Sequence, residues 1–305
     1  MEQQFSLLIW SDQFLRSHDV SITSKVTYKN SLRQFARWYK NKDILEPDRE
    51  NILEYKNWLD QTSLSSFTKA TYMVVLRRFF AWLEHQGLYK DVARGIKSAR
   101  RFTKSHKKDS LSVDVVKKLL ASISQATLRG ARDFAIINLL IRSGLRLKEI
   151  SGAKIEDVHV ETTSSSLWIC GKGRGGKDEF IVLTAQSLDP IKNYLRRRKP
   201  KKAREPLFAS LSNCNFNEKI STFALSKMVK KYLRKAGIDS KRISAHSLRH
   251  TFGVLAIKAG ASLYEVQLAM RHASPATTEV YLGDIEKIKR LEASPERKLT
   301  KLLEE

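Results

Sequence analysis

The stretch Met270-Arg-His-Ala-Ser-Pro-Ala-Thr-Thr-Glu-Val-Tyr281 carries a helix-start signature. Ser274 followed by Pro275 is a cap and a first-turn proline, so a short helix is predicted that presents Tyr281, with His272 just ahead of it. Upstream lies Ser244-Ala-His-Ser-Leu-Arg-His-Thr-Phe252. On a helix, His246 and Arg249 are i and i+3 and share a face. His246 and His250 also have a zinc-like i, i+4 spacing. The glutamate of HExxH and any obvious third ligand are missing, so no metal is expected there.

Two further segments precede these. In Ser143-Gly-Leu-Arg-Leu-Lys-Glu-Ile150, Gly144 breaks one helix and Arg146 enters the next, where backbone N–H groups favour an anion. In Cys170-Gly-Lys-Gly-Arg-Gly-Gly-Lys177, glycines form a turn between two strands and project Lys172 from it. The turn is not a P-loop, because the GxxxxGK[ST] spacing and the following helix are absent. Taken singly, each segment has a bland reading: a surface arginine at a helix cap, a flexible hairpin, a satisfied histidine, a packed tyrosine.

Outward from these segments the periodicity sets the fold. Residues 1–97 read as helices only. The expected faces are Phe5, Leu8 and Ile9; Tyr28, Leu32, Phe35 and Tyr39; Ile52, Tyr55, Trp58 and Leu59; and Tyr72, Leu76, Phe79 and Leu83, stopped by Gly87. Trp10, Trp38, Trp58 and Trp82 are read as core of this four-helix module. Residues 98–110 hold five Lys or Arg and read as an exposed linker, either solvated or strapped along phosphate. From residue 111 to 305 the pattern is mixed. Ser112 caps a helix through Ile123, and a second helix runs from Ala131 to Arg142. Short β-rich runs then span Ile155 to Val160, Ser166 to Cys170 and Glu179 to Leu183. The remainder is helical, with stops at Gly237 and Gly260. The expected fold is mainly α with a small antiparallel β-sheet, an α+β chain. The run Arg196 to Lys202 reads as an exposed helix end and loop, solvated or tracking a nucleic-acid backbone.

Composition bounds the function. The 305 residues suggest two domains, and 42% hydrophobic content is ample for packed cores. Phe5 to Trp10 is too short to span a bilayer and lacks the flanks of a signal peptide, so a soluble cytoplasmic protein with no membrane partner is expected. Cys170 and Cys214 make no CxxC spacing and read as ordinary buried or half-buried thiols. The 56 Lys and Arg against 32 Asp and Glu give +24, a surplus that points to a polyanion, and nucleic acid fits better than membrane.

The ordered set Gly144-Leu-Arg146, Gly171-Lys-Gly173, His246-Ser-Leu-Arg249 and Arg271-His-Ala-Ser with TTxxY ending at Tyr281 resembles the tyrosine recombinase family. That family includes phage and transposon integrases and Xer-type chromosome recombinases. His272 stands nine residues before Tyr281, as in the family pattern. Coverage is nearly complete. The resemblance implies a SAM-like core-binding domain at 1–97, a linker, and a catalytic domain at 111–305. It also implies roles. Tyr281 is the nucleophile that forms a 3′-phosphotyrosyl bond, and Arg146 and Arg249 grip the non-bridging oxygens. His246 is the base, His272 donates to the phosphate, Lys172 protonates the leaving 5′-oxygen, and Glu149 buttresses the site. No metal or nucleotide cofactor is implied. The implied partner is a double-stranded DNA recombination site, bound by a homo-tetramer that is a monomer when free. The chain departs from the pattern in a longer lysine turn, which makes Lys177 the runner-up acid. Glu179 stands where a second basic residue is usual, Arg271 where glycine is usual, and Lys148 where a small residue is usual. The tail, with Ile285, Ile288 and Leu291, either docks on a neighbouring protomer or packs on its own domain. Two rivals stay open. One is a type IB topoisomerase. The other is a helix-turn-helix regulator with Gly260-Ala-Ser262 as its turn.

Overall fold

A computed structural model describes residues 7–42, 44–98, 109–170, 176–272, 278, 281 and 295–304. The chain divides into two compact units, residues 1–103 and 104–305.

The first unit is helical: α1 (Leu7–Ser17), α2 (Ile22–Lys40), α3 (Arg49–Gln61) and α4 (Ser66–His85). Each of the last three starts where a short polar side chain satisfies an orphan N–H: Ser21 for α2, Asp48 for α3 and Ser65 for α4. Asn51 returns a bond to the Asp48 N–H at 3.0 Å, completing a capping box. Gly87, at φ +66°, follows α4 as expected. The predicted faces of α2, α3 and α4 are inward, although Tyr39, Trp58 and Tyr72 only flank the core and Trp38 is buried beside Phe35. The α1 face differs from expectation. Leu7, Trp10 and Phe14 are buried, whereas Ile9 is 60% exposed; Phe5 lies outside the described residues, as does the Leu8 side chain. The segment is almost continuously apolar, so several stripes fit it. The one that seats Phe14 edge-on against Phe79, at 5.5 Å, prevails.

The second unit opens with α5 (Val113–Ala121), capped by Ser112, and α6 (Leu128–Ser143). Thr127 accepts the Gly130 N–H at 3.0 Å, so α6 begins three residues earlier than periodicity alone suggested. It is buried along nearly its whole length and packs against later helices on two sides. Gly144 ends it at φ +60°, and α7 (Leu147–Gly152) follows. The sheet has strands β1 (Val158–Val160), β2 (Ser165–Ile169) and β3 (Glu179–Val182), antiparallel in the order β1-β2-β3. Ile155–Asp157, expected to be strand, is a 3-10 turn because Asp157 accepts the Lys154 N–H. Leu167, Ile169 and Ile181 face the core. Then come α8 (Ala185–Arg198), α9 (Thr222–Lys235), α10 (Ala245–Lys258), α11 (Leu263–Met270) and α12 (Pro295–Glu304). No described helix is long and apolar enough to cross a membrane.

Two expectations are corrected here. Cys170 and Cys214 are both exposed, since one directly follows β2 and the other lies in a loop. Arg198 is not part of a solvated basic run. Its side chain is 2% exposed and bonds Glu205 at 2.7 Å, closing the loop after α8.

Candidate active site

Arg146 and Glu149 sit on one turn. Arg146 is the N-cap of α7, its backbone N–H donates to Glu149 Oε2 at 2.7 Å, and its Nη1 donates to Glu149 Oε1 at 2.7 Å. The carboxylate therefore fixes both the backbone and the guanidinium of Arg146. Glu149 is itself buried and also receives Arg271 Nη2 at 2.9 Å. Arg146 Nη2 donates to the Arg271 carbonyl at 3.1 Å, which draws the end of α11 onto the start of α7.

Arg249 comes from α10. It is 3% exposed, and its Nη1 and Nη2 donate to the carbonyl oxygens of Gly144 and Met270. Burial and then the nearby Arg146 charge push this guanidinium down to about 10, against an upward pull from Glu149. Tyr281 is also within electrostatic reach of Arg249. Gly144 is required here twice over. Its φ of +60° favours glycine, and a Cβ would meet the Phe252 ring at 2.6 Å.

Tyr281 is 2% exposed and packs in its own chain with Val254, Val266 and Met270. Its ring stacks on His250, with centroids 4.9 Å apart, and lies nearly parallel to His272 at 6.2 Å. His272 Nδ1 is 2.9 Å from Thr278 Oγ1, which ties the ring's orientation to the turn just before Tyr281. Gly253 makes room for the phenol, because a Cβ there would meet Tyr281 Cζ at 2.8 Å and Met270 sulfur at 3.1 Å.

A phage integrase family profile matches residues 109–286, and the N-terminal SAM-like domain of phage integrases matches residues 10–87. The chain belongs to the phage integrase family of tyrosine recombinases. The tyrosine recombinase XerA of Pyrococcus furiosus is 30% identical over 255 residues, covering 83% of each chain. XerD of Xanthomonas axonopodis pv. citri is 28% identical over 282 residues, 88% of this chain and 90% of its own. In fold, the chain resembles XerH site-specific recombinase in a post-cleavage complex with a palindromic difH substrate. The TM-score is 0.75 at 22% identity, over 96% of this chain and 85% of that one. A lambda integrase tetramer bound to a Holliday junction gives 0.67 at 16% identity, over 92% and 78%.

In this recombinase, Arg146, Glu149, Arg249, His272 and Tyr281 converge from the start of α7, from α10 and from the end of α11 onward. His246 shares α10 with Arg249 but is exposed where Arg249 is buried. Lys172 and the Ser274-Pro275 cap lie outside the described residues, as do Ile285, Ile288 and Leu291 of the tail. Lys177 is ion-paired with the buried carboxylate of Asp157. His250, Gly253, Thr278 and Arg271 were given no role from sequence. His250 entered only through its i+4 spacing to His246, a metal reading that the missing ligands set aside; its ring lies on Tyr281. The turn at Gly260 does join α10 to α11, as the regulator reading requires, but α10 is the helix that buries Arg249.

Proposed function

We propose that this chain cleaves and rejoins double-stranded DNA at specific sites through a 3′-phosphotyrosyl bond to Tyr281. The phenol oxygen attacks phosphorus in line, the bond to the 5′-oxygen breaks, and the freed 5′-hydroxyl of a partner strand later reverses the step. Phosphorus carries growing charge on its non-bridging oxygens during transfer, and fixed guanidinium groups stabilise it without reorganisation. Arg146 and Arg249 have this task, with Glu149 holding Arg146. His272 donates to the phosphate. An ordinary phenol is ionised in about one molecule per thousand at neutral pH, so a base helps, and His246 is assigned to it. Lys172 protonates the leaving oxygen, and the Asp157 ion pair of Lys177 counts against the alternative acid. The reading is carried by one observation: Arg146, Glu149 and Tyr281 all lie within electrostatic reach of the buried Arg249.

Residues 1–97 act as the core-binding domain, 98–110 as a linker and 111–305 as the catalytic domain. The working assembly is a homo-tetramer on two synapsed DNA sites in the cytoplasm, at the nucleoid. Support comes from the +24 charge, the family and the DNA-bound relatives of like fold. To test the chemistry, wild-type protein is incubated with genomic DNA, stopped in SDS, and the attached ends are sequenced. Wild type gives adducts at a recurring sequence, and Tyr281→Phe binds DNA but gives none. Wild type without adducts, or plasmid relaxation with no preferred site, contradicts the reading.

A further inference from the structure

Arg271 ends α11 in the left-handed conformation, φ 55°, a geometry strained for any residue with a Cβ. Glycine would end the helix at lower cost, so the side chain must return something. It is not in solvent, being only 6% exposed. Nη1 donates to the Ala269 carbonyl at 2.6 Å, Nη2 donates to Glu149 at 2.9 Å, and Nε forms an ion pair, without a hydrogen bond, with Glu179 Oε2 at 3.5 Å. Glu149 belongs to α7 and Glu179 opens β3, so one guanidinium pins two elements to the end of a third. Arg271 and Glu179 are also two of the departures from the family pattern noted in the sequence, and here they meet.

These contacts bear on Arg146 from two sides. Glu149, which orients the Arg146 guanidinium, is held by Arg271; and the Arg271 carbonyl accepts Arg146 Nη2. With its nitrogens turned to these partners, Arg271 is withdrawn at 6% exposure, whereas Arg146 is open at 29%. We propose that Arg271 is a positioning residue, anchored on Glu179, that sets Glu149 and through it Arg146 in the orientation needed to grip the scissile phosphate. This rests on the recombinase reading above.

The test compares single-turnover adduct formation on a nicked duplex bearing the mapped site, with either a phosphodiester or an uncharged methylphosphonate at the scissile position. With the phosphodiester, Arg271→Gly slows the adduct by about 30-fold while DNA affinity changes by less than about 3-fold. With the methylphosphonate there is no non-bridging charge to grip, and the gap to wild type closes to within about 3-fold. Arg271→Lys recovers part of the rate, because a point charge reaches one carboxylate but not both. An equal gap on both substrates, or an undiminished Arg271→Gly rate, overturns the inference. Should Arg271→Gly fail to fold, Glu179→Gln carries the same comparison with a smaller gap. A wild type that forms no adduct fails the recombinase reading instead. In that case the melting shift on adding pyrophosphate decides: a shift cut in Arg271→Gly of normal unliganded melting point supports the positioning role, and an equal shift overturns it.

Discussion

In the helical unit, Phe14, Phe35, Tyr55, Phe79 and Phe80 are wholly buried and meet one another mostly edge-on, as Phe35 and Tyr55 do at 5.0 Å and 74°. Around α10 in the second unit, Arg249, Glu149 and Arg271 are withdrawn from water among apolar neighbours such as Leu145, Ile150, Leu248 and Met270. Ring burial is favourable by itself. Guanidinium burial is not. The downward push of Arg249 to about 10, well below an unburied arginine, represents a cost on the order of 3 kcal/mol. The folded value lies below the unfolded one, so that cost stands at every pH below about 10 and is relieved only as pH rises from there toward the unfolded value. The ring cluster stabilises the chain; the buried guanidinium groups add unfavourable charge that an anion would compensate.

The sharpest way to separate the two is Phe79→Ala. It should cost about 3–5 kcal/mol, read as faster hydrogen exchange across the helical unit, with protection around α6 and α10 unchanged. Slower protection loss in the first unit than in the second would break the contrast. Gly253→Ala probes the other side. The new Cβ falls on the Tyr281 ring and should cost about 1–3 kcal/mol by overpacking. Adduct formation should slow as well, because the phenol has to shift; a wild-type adduct rate would mean that Gly253 does not set the ring's place. Smaller again, saturating pyrophosphate should raise the wild-type melting midpoint by about 2–4 °C at pH 7. Arg249→Met should remove most of that shift, and in wild type it should fade as pH passes through about 10. An undiminished shift in the variant would place the anion elsewhere. The least effect is expected from Tyr55→Phe. The Tyr55 hydroxyl is buried without a hydrogen-bond partner among the described residues, so deleting it should be neutral or stabilise by up to about 1 kcal/mol. A loss larger than that in chemical denaturation would reveal a bond to the hydroxyl.

The same contrast governs what the sequence made legible. Faces such as Tyr28, Leu32 and Phe35 follow from a 3.6-residue period, because apolar burial is a local pattern. It failed at α1, where the face was read from the short apolar run at Phe5 to Ile9 and left out Phe14 further along the helix. The strand runs were legible from β-branched content, but the 3-10 turn at Ile155–Asp157 depended on a single carboxylate reaching back to Lys154. Arg146, Arg249, His272 and Tyr281 were found through resemblance, since residues so far apart leave no periodic trace. Resemblance was blind to Arg271 and Glu179, where this chain departs from its family, and to Gly253, whose role exists only once Tyr281 packs on it. His250 was read from its spacing to His246 rather than from the ring it covers.

The central claim is that these guanidinium groups hold a strand phosphate against Tyr281. Protease digestion of the trapped wild-type adduct, followed by mass spectrometry, tests it most directly. The account predicts a nucleotide 3′-phosphate attached to the peptide at Tyr281. Attachment elsewhere, for instance at Tyr264, which is 67% exposed on α11, would contradict it.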